Sequence, residues 1–410
     1  MAITRRTLIG SATALGALPR RPARARGRKS APVIRIGVLT DISGPYRDVA
    51  GPTSIVCVRQ SVQEFTAGKD LNIEVLSADH QNKPDIGSAI ARQWFDQKDV
   101  DMIVDINHSA LALAVSALGR ERNKVILPNA ATSDLTGPQC SPNTVHWAYD
   151  TYMLARSTAT RTLKLDGNTW FLITPNYTFG HQLARDVTRF VTEGGGRVVG
   201  SAVYPFPETT DFSAYLHQAR ASGANVLGLC NGGADAANSI KQAREFGLHG
   251  RMRVAALAVY INVLHGLGLD TAQGLLLTES FYWNLNERTR AFLGRIRPKT
   301  PANWPNMLQA GDYAATLHYL KAVADMGIAA AKADGRAVVA RMKAMPTDDD
   351  CFGRGYIRED GRKIHPSYLF QVKTPAESNY EWDIYKLVAT TPADEAFRPL
   401  REGRCPFVHA

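Results

Sequence analysis

The chain has no apolar run approaching the ~18 residues that a membrane-spanning helix requires, and its mean hydropathy is -0.19. A polytopic membrane protein is therefore excluded. No low-complexity tract follows residue 30, and 45% of residues are hydrophobic, so disorder is excluded as well. No Cys-x-x-Cys pair occurs among the five cysteines, which leaves a zinc ribbon, a dithiol redox motif or an iron–sulfur site without support. There is no GxxxxGK(S/T) loop, no GxSxG elbow and no HExxH helix. The ten histidines are scattered, with no pair four residues apart on one helix. His80 and His108 both end strand-like runs, and His80 reads as a solvated loop residue. Asp348-Asp349-Asp350 reads as a solvated acidic loop. Gly194-Gly195-Gly196 follows a helix and precedes a strand, the reverse of a phosphate-binding fingerprint, so it reads as a helix cap and turn. These absences point away from an enzyme and toward a protein with no cofactor and no metal.

Positive charge is abundant but misplaced for nucleic acid. Residues 1–30 hold Arg5, Arg6, Arg20, Arg21, Arg24, Arg26, Arg28 and Lys29 against no acid, and subtracting these eight charges from +10 leaves +2 for the remainder. A body so weakly charged has no electrostatic footprint for nucleic acid. Within that leader, Arg5-Arg6 precede an apolar segment from Leu8 to Leu18, and Ala23-Arg24-Ala25 offers a cleavage site. The arrangement is similar to a twin-arginine export signal, which implies a periplasmic destination.

From residue 33 onward, short apolar runs alternate with longer amphipathic stretches. Strands are expected at 33–40, 72–78, 102–106 and 125–128, with helices at 50–67, 84–98 and 109–122, the last capped by Asn107 or Ser109. A second series follows, with helices at 152–165, 179–193, 212–222 and 235–246 and strands at 169–174, 197–204, 226–229 and 253–258. Such alternation implies parallel sheets built from βαβ crossovers. Residues 144–147 are the candidate passage between the two units. Helices at 287–297 and 311–326 and late strands at 356–358, 368–372 and 385–390 complete an α/β chain of two lobes joined by hinge strands. Lobe 1 is expected to comprise 31–147 with about 279–363, lobe 2 to comprise 148–278 with about 364–390, and 391–410 to form a tail. Two lobes joined this way leave a cleft, the usual place for a small ligand.

Cys57 and Cys230 read as small core residues. Cys140, Cys351 and Cys405 lie in loop contexts, and one disulfide among them is expected, with Cys140–Cys405 the favoured pair.

The segments after the strands carry a pattern of their own. Thr40-Asp41-Ile42-Ser43-Gly44-Pro45, Ala78-Asp79-His80-Gln81-Asn82, Asn107-His108-Ser109-Ala110, Pro128-Asn129-Ala130-Ala131-Thr132, Asn176-Tyr177-Thr178-Phe179-Gly180 and Gly311-Asp312-Tyr313-Ala314-Ala315 occur in order across residues 33–390. Together they resemble the branched-chain amino acid binding-protein family, the periplasmic receptors of ATP-driven importers, with a bilobed type I fold. The resemblance implies that Ser109, Ala130 and Thr132, beside His108 at a helix start, clamp an acid group of the ligand. It also implies that Phe179 and Asn231 meet the ligand from lobe 2. A helix N-terminus suits such an anion on physical grounds.

One departure bears on the ligand. Amino-acid binders of the family carry an acid after the next lobe 2 strand, to pair with the ligand's ammonium group. Here the region reads Ala255-Ala256-Leu257-Ala258-Val259-Tyr260-Ile261-Asn262. A buried ammonium without a partner bears a large desolvation cost; Asp235 is the one candidate substitute. Aromatics crowd the expected cleft instead: Tyr46, Tyr152, Tyr177, Phe179, Tyr260 and the run Phe281-Tyr282-Trp283, of which one ring is expected to reach it. The expectation is a monomeric receptor for a small organic acid, an aromatic one foremost, that hands its ligand to membrane permease subunits. The alternatives are a branched-chain amino acid or amide receptor and a ligand sensor feeding a signalling system.

Overall fold

The computed structural model describes residues 32–408, so the paired-arginine leader lies outside the described residues. In the first lobe, β1 (Ile34–Thr40) buries Ile34, Ile36, Val38 and Leu39, apolar on both faces as expected of a strand covered by helices on either side. It is followed by α1 (Gly51–Thr66), β2 (Ile73–Asp79), α2 (Pro84–Gln97), β3 (Met102–Asp105), α3 (Ser109–Arg122) and β4 (Val125–Pro128). The four strands are parallel in the order β2-β1-β3-β4. The cap of α3 is His108, not Asn107 or Ser109, because its Nδ1 accepts the Leu111 amide at 3.3 Å.

The passage at 144–147 forms two isolated bridges, Ile126 with Thr144 and His146 with Arg362. Beyond it come α4 (Thr151–Leu163), β5 (Thr169–Pro175), α5 (Thr178–Glu193), β6 (Arg197–Tyr204), α6 (Ser213–Ala221), β7 (Val226–Leu229), α7 (Gly233–Glu245), β8 (Arg253–Ala256), α8 (Ile261–Leu267), α9 (Leu269–Ala272) and β9 (Leu276–Glu279). The chain then supplies α10 (Glu287–Ile296), α11 (Met307–Met326), α12 (Ile328–Ala333) and α13 (Gly335–Ala344). α11 begins a turn earlier than Gly311 because Asn306 caps it, forming a reciprocal box with Gln309. A small antiparallel sheet of β10 (Thr347–Asp349), β11 (Gly353–Ile357) and β12 (Lys363–Ile364) precedes β13 (Ser367–Val372), β14 (Tyr385–Thr391) and α14 (Ala393–Ala396). β13 and β14 return to the second lobe and complete a seven-stranded sheet, β14-β13-β9-β8-β7-β5-β6, in which β13 alone runs antiparallel to the other strands.

Three local expectations are corrected. The Asp348–Asp350 run is not a solvated loop: Asp348 and Asp350 both pair with Arg288, Asp350 also with Arg295, and buried Asp349 accepts the amides of Cys351 and Phe352. His80 is fully buried rather than solvated. Phe281, Tyr282 and Trp283 are all buried, and none of the three rings expected to supply one to the cleft lines the cavity described below. Gly194 caps α5 and Gly195 takes φ +83° in the turn that follows. Cys140 and Cys405 form a disulfide with Cα atoms 5.6 Å apart, which fixes the tail, and Cys57, Cys230 and Cys351 are free and buried.

Candidate functional site

In open parallel sheets, ligands bind outside the carboxyl ends of the strands, where the strand order reverses. Here that point lies between β1 and β3 in the first sheet and between β5 and β7 in the second. The loops leaving those strands face one another and enclose a small cavity of about 20 Å³. That is room for little more than a water molecule, far below the ~300–1,000 Å³ usual for ligand pockets. Tyr46 and Val49 follow β1, Asn107 follows β3 and Ala131 follows β4; Tyr177 and Phe179 follow β5, Gly232 follows β7, and Ala258 and Tyr260 follow β8. Tyr149 from the passage and Leu308 from α11 complete the wall.

The loop that carries Tyr46 is shaped by Asp41, whose carboxylate accepts the amides of Gly44 at 2.7 Å and Tyr46 at 3.0 Å. The Tyr46 hydroxyl then meets that of Tyr177 across the cleft. Tyr177 stacks on Phe206 (centroids 4.5 Å apart, planes 14° apart), and its other neighbours are Phe179 at 5.7 Å and His108 at 5.4 Å. A second aromatic pair on the wall sets Tyr149 against Tyr260, edge to face at 6.0 Å. Burial holds all four of these phenols above their ordinary pKa, so they remain neutral. The lobes also touch through backbone. The Ala234 amide donates to the Pro45 carbonyl, and Gly233, at φ +57°, would place any Cβ 2.5 Å from that same oxygen. Only glycine allows so close an approach there. Gln182 of α5 donates to Asp134 of the first lobe at 2.7 Å. The cleft is thus described in a closed state.

Charge is kept off the wall. Asp235 lies within the second lobe, where the Tyr204 hydroxyl donates to it at 2.8 Å and burial pushes its pKa up to about 6. Glu279 accepts the amides of Ile261 and Met307 and the Tyr385 hydroxyl, and burial pushes it to about 8. Neither lines the cavity.

Of the residues expected at the site, Tyr46, Tyr177, Phe179 and Tyr260 line the cavity. His108, its ring 5.4 Å from that of lining Tyr177, and Ser109 are buried where α3 begins, and neither lines the cavity. The others stand off the wall. Ala130 is buried, with its carbonyl accepting from His146 at 2.7 Å, and its neighbour Ala131 reaches the cavity instead. Thr132 caps the short turn at 133–136, its hydroxyl accepting the Asp134 amide. Asn231 is held by Ser239 at 3.1 Å beside lining Gly232. Tyr152 packs edge-on against Phe190 at 4.9 Å, under Arg189. Trp283 donates to the Trp382 carbonyl at 3.1 Å within a tryptophan cluster. Asn107, Tyr149, Phe206 and Leu308 escaped the sequence reading; the first sits in a quoted loop, but nothing in its neighbours marks it as facing a ligand.

Two α/β lobes facing one another across an aromatic cavity at their switch points have the architecture of a small-molecule receptor. Comparison with known proteins agrees. The periplasmic binding protein family model matches residues 33–379, and the chain belongs to that family. A periplasmic binding protein from Burkholderia mallei is 42% identical, with a TM-score of 0.87 over 92% of this chain and 99% of the other. A branched chain amino acid ABC transporter periplasmic ligand-binding protein from Burkholderia xenovorans is 37% identical (TM-score 0.81, 91% and 99% covered). A Rhodopseudomonas palustris solute-binding protein in complex with benzoate shares the fold at 17% identity (TM-score 0.78, 88% and 97% covered). No curated protein matches. The protein is a periplasmic solute-binding protein of an ABC transporter, not an enzyme, and proteins of this kind deliver small ligands to membrane permeases.

Proposed function

We propose that this receptor captures a small organic carboxylate, an aromatic acid foremost, and works as a monomer exported by its paired-arginine leader. One observation carries the reading: the cavity wall offers phenols, one phenyl ring, one amide and small apolar groups, with no carboxylate to receive an ammonium ion. Asp235, the one candidate for that task, is engaged by Tyr204. An α-amino acid would therefore bury its ammonium group unpaired, at a cost of several kcal/mol. A flat acid places its ring against Tyr177 and Phe179, where aromatic pairs add ~0.5–1.5 kcal/mol beyond area burial. Its carboxylate meets neutral donors near the start of α3, where the helix dipole favours an anion. The R. palustris relatives in complex with benzoate and 4-hydroxybenzoate support the class by fold. The B. xenovorans relative favours the rival reading, a branched-chain amino acid.

A thermal-shift comparison separates the two. Ligand at ~1,000 times its Kd adds ~4 kcal/mol to native stability. A rise in Tm with benzoate and 4-hydroxybenzoate but not leucine is the expected result. A rise with leucine alone overturns the proposal.

A further inference from the structure

β2 and β3 flank β1 in the first sheet, so the residues that follow them come within side-chain reach of each other. Both strand ends bend through left-handed backbone carried by residues other than glycine. Gln81 and Asn82 have φ +53° and +55° just after His80, and Asp105 and Ile106 have φ +77° and +52° just before Asn107. A β-branched residue such as Ile106 is strained there, and strain of this kind clusters at ligand sites. The two turns bring His80 Nε2 to 2.9 Å from Asn107 Oδ1.

The direction of that bond follows from a third group. The Asn82 amide donates to His80 Nδ1 at 3.0 Å, so Nδ1 carries no proton. Burial of His80 lowers its pKa to about 4, which keeps the ring neutral. The single ring proton is therefore on Nε2 and is donated to Asn107 Oδ1. The amide of Asn107 is held by its oxygen, and its Nδ2 is left as the free end. Asn107 lines the cavity, and Nδ2 is buried without a partner, the only side-chain atom of the described wall in that condition. A buried donor left unpaired is costly, and a ligand acceptor would remove that cost on binding.

We propose that Asn107 Nδ2 is a ligand-binding donor, fixed in a donor-only orientation by His80, and that this pair selects an acceptor oxygen on the ligand. Asn107 touches the ligand, and His80 is a positioning residue that acts through it. The choice of a carboxylate as that acceptor rests on the organic-acid reading above; the donor role does not.

Calorimetric titration of the purified protein with benzoate, benzamide and leucine tests both layers. Wild type is expected to prefer benzoate to benzamide. Asn107→Ala weakens benzoate binding about 10- to 100-fold, the usual loss for a hydrogen bond to a charged group. Asn107→Asp, the same shape with an acceptor in place of the donor, reverses the preference toward benzamide. His80→Ala frees the amide to rotate, so the benzoate-to-benzamide ratio falls toward one, and His80→Gln restores it by returning a donor. A merely structural role for His80 would lower both affinities together and leave the ratio fixed. Independently of any ligand, ¹⁵N NMR of the ring is expected to show neutral His80 protonated on Nε2.

A proton on Nδ1 overturns the proposal. So does an Asn107→Ala affinity within about threefold of wild type for whichever ligand wild type binds. If wild type binds leucine and not benzoate, the organic-acid reading fails, and Asn107→Ala titrated with leucine still decides the donor. If it binds none of the three, the ring tautomer decides.

Discussion

Two aromatic clusters lie in this molecule, and they do different things with their polar ends. In the cleft, the hydroxyls of Tyr46 and Tyr177 meet each other from opposite lobes, and the rings surround open volume. Away from it, Trp283, Trp304 and Trp382 pack with ring centroids 5.1 Å apart, and the Trp283 indole donates to a backbone carbonyl. His265 closes that stack at 3.8 Å from Trp382. In the tryptophan cluster the Trp283 bond is made within the cluster, to the Trp382 carbonyl. The tyrosine cluster completes its bonds only when the lobes meet, and it leaves Asn107 unsatisfied even then. The difference separates burial that stabilises the fold from burial that awaits a ligand.

The comparison is most easily broken at Trp283. Trp283→Ala should cost about 3–5 kcal/mol, as large-to-small aromatic changes in cores do. Chemical denaturation reads the loss, and ligand affinity of the folded fraction should be unchanged. A weakened affinity would mean that the cluster also shapes the cleft.

The next largest effect is acid sensitivity, to which the cleft side contributes through His80, beside buried His146, His318 and His365 elsewhere, whose pKa values burial also lowers. Burial lowers the pKa of His80 to about 4, below its ordinary value. Between pH 6.5 and 4 the unfolded chain takes up a proton that the folded state refuses, so stability falls as pH falls through that window. At pH 5 the cost is about 2 kcal/mol for this one ring. His80→Gln should flatten the Tm profile between pH 7 and 5 by a corresponding amount, and an unchanged slope would place the acid-sensitive group elsewhere.

The smallest effect should come from Tyr46→Phe. It removes a single hydroxyl contact between lobes, and neutral hydrogen bonds contribute about 0.5–1.5 kcal/mol. Ligand affinity should fall roughly 2- to 10-fold while Tm of the ligand-free protein stays nearly constant. A large drop in Tm would show that Tyr46 belongs with the tryptophans in kind.

The frame was legible from local pattern, and the site was legible only where chemistry and loop position coincided. Apolar runs such as Val226–Leu229 announce buried strands, and the loops after them can be named before any fold is known. Tyr46, Tyr177, Phe179 and Tyr260 were found because each follows a strand whose loop must face the cleft. The His80–Asn107 pair was not, because 27 residues separate its members and only the β2-β1-β3 order joins them. His80 looked like a loop residue because two left-handed residues after it turn the chain and bury the ring. Trp283 was drawn to the cleft by its aromatic neighbours, since a run of three rings has no period to say which way each faces; its partners, Trp304 and Trp382, come from distant parts of the chain. The strand Leu276–Glu279 was passed over, being four residues long and bounded by no strong turn signal in the direction of Phe281.

The five cysteines have a practical consequence. Two are tied to each other, and burial raises the pKa of Cys57, Cys230 and Cys351, Cys230 to about 12, so no thiol of the folded protein offers itself to an alkylating dye. A single cysteine introduced on the rim of the cleft would take a fluorophore alone, without removing any native cysteine. The receptor is thereby ready to be made into an optical reporter of its own ligand, whose signal would follow the meeting of the two lobes.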